Sequence, residues 1–436
     1  MSATMIHYFS VELELCEPGA VLEPVETTDA AEANAHLDMR PARDHEGRWT
    51  MPATSVAGSM RDHLAKTHPG LAEEVMGFFA PDGAHPSSLR ILGTRLVDDV
   101  RLLDEHSTAI DRHRGAAANR TLRHIQVLPE GARFEVFLRW DDPKFSQLEI
   151  VLEEIGRWRP FLGASVSSGH GACRVTQARH GVLDLGTAEG MLAFLTQGGP
   201  ELAKTVAVAP VALADGARVE HLAFSFELAS ALHVGTGQTT GDKPKVATVF
   251  RRCDNPAISG RTLRGVFRSR AEFILRSVGV DACANDDCGS CVICTLFGHS
   301  ADDPTSASVG LRSSLRFLDT VIVDAQVTRR SHVAIDRFTG GATPGLLFTD
   351  EVVDRGRFQV RVNRLGGTDE QWKLAEALLV LVAQDLHDGY VAIGGATTRG
   401  QGTVRLTSAQ PEELANAQEA IKVLVDNVIA KSPEAL

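Results

Sequence analysis

The chain repeats parts of itself, and this internal duplication constrains its fold more than any single motif does. The tetrapeptide AIDR occurs as AIDRHRG from Ala109 and as AIDRFTG from Ala334, an offset of 225 positions. The stretch TMPATSVAGSMR resembles AISGRTLRGVFR at an offset of 207, and FLGASVSSGHGACRV resembles AIGGATTRGQGTVRL at an offset of 231. Three motifs in the same order, at offsets that grow through insertions, indicate that one domain has been duplicated.

Length and charge are compatible with such a duplication. Since domains typically hold roughly 100 to 200 residues, a chain of 436 residues favours two of them. The formal net charge of -12 taken alone argues against a nucleic-acid partner, but between Lys245 and Arg276 eight Lys or Arg stand against two acids. A basic surface on an acidic body is compatible with RNA. No signal peptide or membrane span is indicated, which predicts a cytoplasmic protein without membrane contact.

Each half begins with alternating apolar residues that predict a strand, IHYFSVELEL and HLAFSFELASALHVGTG. A helix should follow in each half, capped by Thr54-Ser55 or by Ser259-Gly260. Further helices are predicted at 146–157, at 370–387 and over PEELANAQEAIKVLVDNVIAK. This order predicts an α+β fold of two tandem ferredoxin-like (RRM-like) domains. We place the first domain at 1–190, a linker at 191–216 and the second domain at 217–436.

The helix after Ser259 separates apolar from basic residues. Leu263 and Phe267 fall on one face, whereas Arg261, Arg264 and Arg268 fall on another. The apolar face is expected to pack and the arginines to point outward. A solvated helix face is the simpler interpretation of such arginines, but acids are scarce around them, which favours a binding role.

The run CANDDCGSCVIC predicts a metal site within an insertion at about 281–298. Its spacing is C-x4-C-x2-C-x2-C, and four thiolates this close in sequence can surround one tetrahedral ion, most commonly zinc in a reducing compartment. The four thiols leave no open position for a substrate, so the ion is expected to be structural. An iron–sulfur cluster or reduced bystander thiols are the alternatives. The predicted ligands are Cys283, Cys288, Cys291 and Cys294.

Several of these motifs together resemble a known family. The turns MPATSVAGSMR and ISGRTLRGVFR, the cysteine cluster followed by LFG, the hairpin sequence IDRFTGG and the closing loop GGATTRGQG look like the RAMP superfamily. Specifically, the chain resembles RNA-backbone subunits of type III CRISPR effector complexes, with two such domains fused as in the type III-D arrangement. The first half lacks the cysteines and the TGG of the hairpin, so the resemblance is weaker there.

The resemblance implies an RNA-binding role in antiviral defence. Such subunits bind a guide crRNA with an RRM-like palm, kink it with a thumb hairpin, and assemble with target RNA and other effector subunits. The thumbs of this chain would begin near 109–112 and 334–337, with Asp111 and Asp336 anchoring them. Glycine-rich turns let backbone N–H groups approach phosphate. The expected RNA-binding residues are Arg61, Arg112, Arg114, His170, Arg261, Arg264, Arg268, Arg337, Arg399, Gly400 and Gly402.

The resemblance also implies a cleavage site. Some members cut target RNA with a loop aspartate and a divalent metal, and Asp38 occupies that position in the first half. Lys245 stands opposite it in the second half, where Asp242 is the substitute. An exposed aspartate is a weak base at neutral pH, so its expected role is to hold Mg²⁺. A turn-forming aspartate that bonds its own backbone is the alternative.

Three functions therefore remain in view. The first is a guide-binding subunit that cleaves target RNA at Asp38 in a metal-dependent manner. The second is a scaffold of the same complex that cuts nothing. The third is a repeat-processing endoribonuclease that works alone, without metal, through His36 or His45.

Overall fold

A computed structural model describes residues 5–25, 37–80, 83–111, 116–214, 219–240, 246–283, 288–299, 310–407 and 411–431. The chain divides into two compact units. The first comprises Met1–Glu105, Arg123–Val166 and His170–Arg218, and the second comprises His106–Leu122, Ser167–Gly169 and Val219–Leu436. Each unit combines a β-sheet with helices, which confirms the predicted α+β class. The boundaries placed by sequence at residues 190 and 216 stay a prediction.

Both halves share a frame of strands, two helices, further strands, a helix and a closing strand, and they differ in the elements added to it. Up to residue 214 they are β1 (Met5–Leu15), β2 (Leu22–Pro24), β3 (Met39–Pro41), α1 (Ala53–Thr67), α2 (Pro69–Met76), β4 (Phe78–Ala80), β5 (Gly83–His85), β6 (Leu89–Leu96), β7 (Leu103–Ser107), β8 (Ile110–Asp111), β9 (Ala116–Ala117), β10 (Arg123–Val127), β11 (Arg133–Asp141), α3 (Phe145–Arg157), β12 (Cys173–Asp184), α4 (Ala188–Thr196), α5 (Gly199–Val206) and β13 (Ala209–Pro210). From residue 219 they are β14 (His221–Leu228), β15 (Gly235–Thr240), β16 (Val246–Val249), β17 (Arg251–Arg252), β18 (Asn255–Ile258), α6 (Gly260–Ser277), α7 (Val292–Phe297), β19 (Leu315–Phe317), β20 (Thr320–Val321), β21 (Val323–Ile335), β22 (Ala342–Arg364), α8 (Asp369–His387), β23 (Val404–Leu406) and α9 (Pro411–Lys431).

The sheet of the first unit has helices on both faces. Its strands lie in the order β13-β12-β1-β11-β6, with β1 antiparallel to β11 and β12. One face of β1, including Phe9 and Val11, packs in a core with residues of α1 and α3. On the other face Ile6 and Tyr8 are buried with Leu202 of α5. Both faces of this sheet are therefore covered by apolar packing.

The stretch predicted as a linker contains most of the elements that cover the second face of this sheet. Residues 191–216 include most of α4, all of α5 and β13, and β13 pairs with β12 at the edge of the sheet. Thr187 caps α4 by accepting the backbone N–H of Gly190. The connection is built from secondary structure that packs on the first sheet.

The sheet of the second unit repeats this plan with one face left open. Its strands lie in the order β15-β16-β22-β14-β23, and β19 and β21 also pair with β22. Phe224 and Phe226 of β14 are buried in one core with residues of α6 and α8. Ala223 and Glu227, which point the opposite way, are exposed. Because side chains alternate along a strand, the second face of this sheet is polar and uncovered.

The buried positions of α1 and α6 confirm the duplication at the level of packing. Val56 and Met60 of α1 are fully buried, and so are Leu263 and Phe267, which lie 207 positions later on α6. These side chains occupy the same helical face in each half, as the offset of the repeat requires.

A polar contact between helices is repeated as well. In the first half His63 Nε2 lies 2.8 Å from Glu154 Oε2, which joins α1 to α3. In the second half Arg270 Nε lies 2.6 Å from Asp385 Oδ2, which joins α6 to α8. Arg270 lies 207 positions after His63, and Asp385 lies 231 positions after Glu154, which are the offsets found in the sequence.

The glycine-rich loops have the same backbone conformation in both halves. Gly171 and Gly402 have φ of 70° and 81°, where a side chain is strained. A Cβ at either position would lie 2.0 Å from the carbonyl oxygen of Leu162 or Ile393, respectively. Glycine is required at these positions because two backbone segments approach each other closely. The same close approach occurs in both halves, at the offset of 231.

Most of the predicted helices are confirmed, with one correction at a cap. Helices are found at Phe145–Arg157, Asp369–His387 and Pro411–Lys431. Ser259 caps α6 as predicted, because its side chain accepts the backbone N–H of Thr262 at 3.2 Å. The predicted cap at Thr54-Ser55 is wrong, since α1 already begins at Ala53 after Pro52, without a side-chain cap. Within the described residues no helix is long and apolar enough to cross a membrane.

Candidate metal centre and nucleic-acid interface

The four predicted cysteines come together as one cluster in the second unit. Their sulfur atoms all lie within 4.8 Å of one another. Cys283 Sγ lies 3.3 Å from Cys294 Sγ and 3.5 Å from Cys291 Sγ. A tetrahedral ion with Zn–S bonds of about 2.3 Å needs sulfurs roughly 3.8 Å apart. The cluster therefore fits a structural metal such as zinc.

The surroundings of these sulfurs favour metal-bound thiolates. Cys283 Sγ accepts the backbone N–H of Cys288 at 3.2 Å, and Cys288 Sγ accepts that of Cys291 at 3.3 Å. The backbone N–H of Ser290, with that of Cys291, lowers the pKa of Cys288 to about 6. Burial raises the pKa of Cys283 and of Cys294. The buried thiols thus ionise readily only beside a cation, which a divalent metal supplies.

The arginines of α6 do not point outward as expected. Arg268 is only 6% exposed, and its Nε lies 3.0 Å from Glu272 Oε1. Arg264 donates to the carbonyl oxygen of Phe297 and is part-buried. The expectation of a basic surface fails here because segments that follow in the chain cover this face of the helix. Arg268 is thereby removed from any exposed RNA surface, and Arg261 is half-buried.

The equivalent arginine of the first half makes a similar contact. Arg61, related to Arg268 by the offset of 207, donates to the carbonyl oxygen of Met76 at the end of α2. It differs from Arg268 in that its residue is exposed. An arginine at this position therefore ties the first helix of each half to the short helix that follows.

The glycine loop of the second half is not the phosphate cradle that was expected. The backbone N–H of Gly402 donates to the carbonyl oxygen of Ala231 at 2.8 Å, and that of Gly400 to Thr397 at 3.2 Å. Gly402 is buried. The amides are used within the fold, so this expectation is corrected. Arg399 in the same loop is exposed, as predicted for a binding residue.

His170 also lies inside the fold. It is 5% exposed, and its Nε2 lies 3.5 Å from Glu105 Oε2 within the first unit. A buried histidine that contacts a carboxylate stabilises the local structure and is not available to a ligand. Its predicted contact with RNA has no exposed surface on which to form.

Asp38 directly precedes β3, an inner strand of the small sheet β2-β3-β10-β7. It is exposed, and its Oδ2 accepts the backbone N–H of His124 at 2.7 Å. His124 Nε2 in turn lies 2.9 Å from Asp104 Oδ1. The sequence gives no signal for His124 or Asp104, because they come from strands far along the chain. Together they place two carboxylates and an imidazole around one strand end.

The neighbouring loop residues are less suited to chemistry. Asp44 accepts the backbone N–H groups of Glu46 and Arg48, each at 2.9 Å, which is the turn-forming role. His45 has an 87% exposed side chain, 3.9 Å from Glu46 Oε1. The predicted residues His36, Arg112, Arg114 and Asp242 lie outside the described residues.

The AIDRFTG motif forms the turn of a long hairpin made by β21 and β22. Asp336 accepts the backbone N–H groups of Phe338 and Thr339, each at 2.8 Å, which confirms that it anchors the hairpin. Arg337 is exposed at the tip, and Phe338 is 100% exposed. Such a concentration of exposed apolar groups marks a contact surface. The large apolar side chains exposed towards the tip of the hairpin are Val333, Ile335, Phe338, Leu346, Leu347 and Phe348.

Sequence reasoning missed a second candidate surface, the open face of the second sheet. We call it the open face, and its exposed or half-buried members are Ala223, Ser225, Glu227, Arg357, Gln359, Arg361, Arg405 and Thr407. The alternation in RGRFQVRVNR, with a polar side chain at every second position, is the signal that could have found it.

The open face carries a cavity of about 600 Å³ between β14, β22 and the segment Leu318–Val323. A chain of contacts crosses its floor: Arg361 Nη2 lies 3.4 Å from Gln359 Oε1, and Gln359 Nε2 lies 3.4 Å from Ser225 Oγ. Arg357 pairs at the surface with exposed Asp324. The arginines and the amide offer hydrogen-bond donors to an anionic, polar ligand.

Comparison with known proteins adds one finding. A family profile described as the RAMP superfamily matches residues 21–174 and 225–405, which are most of the chain. The two matches fall on the two halves of the internal duplication. No curated protein sequence matches.

Proposed function

We propose that this chain, which belongs to the RAMP superfamily of CRISPR-associated RNA-binding subunits, holds a guide crRNA by its backbone within a type III effector complex. The observation that carries the proposal is the polar, arginine-bearing open face in the same unit as a long hairpin with an exposed apolar tip. Its partners would be the guide, the target RNA paired to it and other effector subunits in the cytoplasm.

The open face suits a sugar-phosphate backbone better than bases. Arg361 and Arg405 supply cations, Arg357 shares its charge with Asp324, and Ser225 and Gln359 supply neutral hydrogen-bonding groups. Large aromatic side chains for base stacking are lacking among its members, which is expected where a strand is held without reading its sequence. Binding of this kind depends strongly on salt, because each phosphate contact releases counterions.

The hairpin suits a second role along the same strand. Its apolar side chains cannot pair with phosphate, but they can pack against bases that leave the stack. Arg337 beside Phe338 places a cation next to that apolar tip. The hairpin would therefore interrupt the strand that the open face holds, as the thumbs of the family do.

The binding proposal is tested with the full-length chain and a labelled guide crRNA. We expect Arg361→Ala and Arg405→Ala each to weaken binding and to lower the dependence of log Kd on log salt by about 0.7 to 1. Arg101→Ala, an exposed arginine in the first unit, is the matched control and should leave that slope unchanged. Equal losses in all three variants would contradict a specific role of the open face.

We further propose that the chain cleaves target RNA at Asp38, which would hold Mg²⁺ beside the ribose 2′-hydroxyl. The exposure of Asp38, with His124 and Asp104 nearby, supports this assignment. The hydrogen bond from the His124 backbone to Asp38 Oδ2 favours the alternative, a scaffold in which this carboxylate only holds β3 against β10. Asp242 remains a proposed second site.

The cleavage proposal is tested in the reconstituted complex with Mg²⁺ and a target complementary to the guide. Asp38→Asn keeps an acceptor for the His124 N–H but removes the charge that binds metal. It should abolish one discrete product, whereas Asp62→Ala, an exposed aspartate on α1, should not. Asp242→Ala tests the second site. Identical product ladders would assign the scaffold role, and cleavage of repeat RNA by the chain alone in EDTA would assign the stand-alone endoribonuclease.

A further inference from the structure

The charged residues of α6 form a stripe that faces the cysteine segment. Arg264, Arg268, Glu272 and Arg276 follow at intervals of four, so they lie along one side of the helix. The three arginines contact the segment at both ends of the cluster. Arg276 donates to the carbonyl oxygen of Cys283, before the other cysteines, and Arg264 donates to that of Phe297, after them.

Arg268 sits at the centre of this stripe and reaches a predicted metal ligand. Its Nη1 donates to the carbonyl oxygen of Gly298 at 2.9 Å, and its Nη2 lies 3.8 Å from Cys294 Sγ. Cys294 is fully buried, and Glu272, which pairs with Arg268, is 1% exposed. The guanidinium therefore connects the helix, a carboxylate and a thiol in one buried contact.

The first half shows that these contacts belong to the metal-bearing half. At the offset of 207, Arg264, Glu272 and Arg276 correspond to Ala57, Ala65 and Pro69. In the first half α2 begins two residues after α1 ends and no cysteine segment lies between them. The central arginine is common to both halves, whereas the charged residues around it occur only where the cysteines occur.

We propose that Arg268, with Arg276 and Arg264, forms the outer sphere of the metal centre and sets how tightly the metal is held. Four thiolates around a divalent ion carry net negative charge, and burying that charge is costly without a compensating donor. Arg268 supplies a charged donor to Cys294, and all three arginines fix the backbone that carries the ligands. This inference goes beyond the proposed function because it requires no RNA.

The test measures metal loss from the full-length, zinc-loaded chain into an excess of a chromogenic chelator. Removal of an outer-sphere partner typically costs about 10- to 100-fold in metal affinity, so Arg268→Leu should release zinc faster by a comparable factor. Cobalt substitution provides a second readout, since loss of tetrahedral thiolate coordination changes the ligand-field bands. Arg276→Ala, an exposed position, should give a smaller acceleration and is the variant to use where Arg268→Leu fails to fold.

Arg270→Leu is the matched control. Arg270 lies on the same helix and is also ion-paired and half-buried, but its partner is Asp385 of α8. It should lower thermal stability without changing the rate of zinc release. Release at the wild-type rate from both Arg268→Leu and Arg276→Ala, or equal acceleration by Arg270→Leu, would overturn the proposal. A chain that cannot be loaded with zinc or cobalt would overturn it as well.

Discussion

The two halves of this molecule share a core and differ in what lies outside it. In the first half the second face of the sheet buries Ile6 and Tyr8 beneath α5. In the second half the corresponding strand, β14, presents Ala223 and Ser225 to an open, polar surface. The core side of both sheets is alike, down to the matching buried residues of α1 and α6. The sheet face that packs against the helices of the core is thus alike in the two halves. The opposite face differs, because it is covered in the first half and accessible in the second.

A second difference lies where the first helix ends. In the first half α1 leads directly into α2, whereas in the second half the cysteine cluster begins in the segment after α6 and ends within α7. The short helices nevertheless end alike, because Gly77 and Gly298 follow them with φ of 75° and 74°. The cluster is thus an insertion into an otherwise equivalent frame. Four predictions can break or sharpen the comparison of the halves.

The largest loss of stability is expected when the metal can no longer bind. This loss should be confined to the second half, which alone contains the cysteine cluster. Cys294→Ser removes a fully buried member of the cysteine cluster that could hold the metal, and in small zinc domains metal binding contributes about 10 kcal/mol or more to folding. Amides of α6 and α7 should lose protection from hydrogen exchange, while those of α1 and α2 keep it. Cys253→Ser, an exposed thiol of the same half, is the control. Equal loss of protection in both halves, or none, would contradict a metal-dependent second half.

Equivalent core positions should respond equally. Phe267→Ala is expected to destabilise the second half by about 3–5 kcal/mol and Met60→Ala the first half by about 2–5 kcal/mol, since both side chains are fully buried. Denaturant titration followed by hydrogen exchange of each half measures the two effects separately. A value below about 1 kcal/mol at either position would show that the halves do not share this core contact.

The glycine loops should also respond equally. Gly171→Ala and Gly402→Ala each place a Cβ 2.0 Å from a carbonyl oxygen, so about 2 kcal/mol or more of stability should be lost in either half. Gly400→Ala is the control, because its φ of 81° is strained but its Cβ meets no atom within 4 Å. That variant should cost about 1 kcal/mol. A Gly402→Ala effect no larger than that of Gly400→Ala would argue against the close approach.

The smallest effect is a pH dependence confined to the first half. Burial, assisted by neighbouring His7, lowers the pKa of His180 to about 4. The unfolded chain, with a pKa near 6.5, takes up this proton first, so stability is complete above pH 6.5 and declines as the pH falls towards 4. His180→Gln should reduce the decline in thermal stability over that window. An unchanged pH profile would assign the decline to other groups.

The fold could be predicted largely from sequence because its signals are local. Alternation in β1 and β14, the cap at Ser259 and the spacing of Gly394, Gly400 and Gly402 each depend on neighbours a few residues away. The cysteine cluster was predictable for the same reason, since all its members fall between Cys283 and Cys294. Such features can be recognised without knowledge of the tertiary structure.

The surfaces could not be predicted because they depend on distant residues. Nothing near Arg268 reveals that Gly298, thirty positions later, would cover it. His124 and Asp104 reach Asp38 only through the pairing of strands that the sequence separates widely. The open face was missed although its signal is local. Alternating polar residues on β22 indicate only a solvent-exposed strand face, and the face becomes notable when the equivalent face of the first half is found covered.

The segment that covers the first sheet also determines how the gene could be divided. A fragment that ended at residue 190 would keep the strands of the first unit but lose α5, so Ile6, Tyr8 and Phe137 would be left bare on its surface. Such a fragment would be prone to self-association when made alone. The segment between the halves therefore belongs to the core of the first unit, and an insertion within α5 is expected to destabilise that unit as a change in its core would.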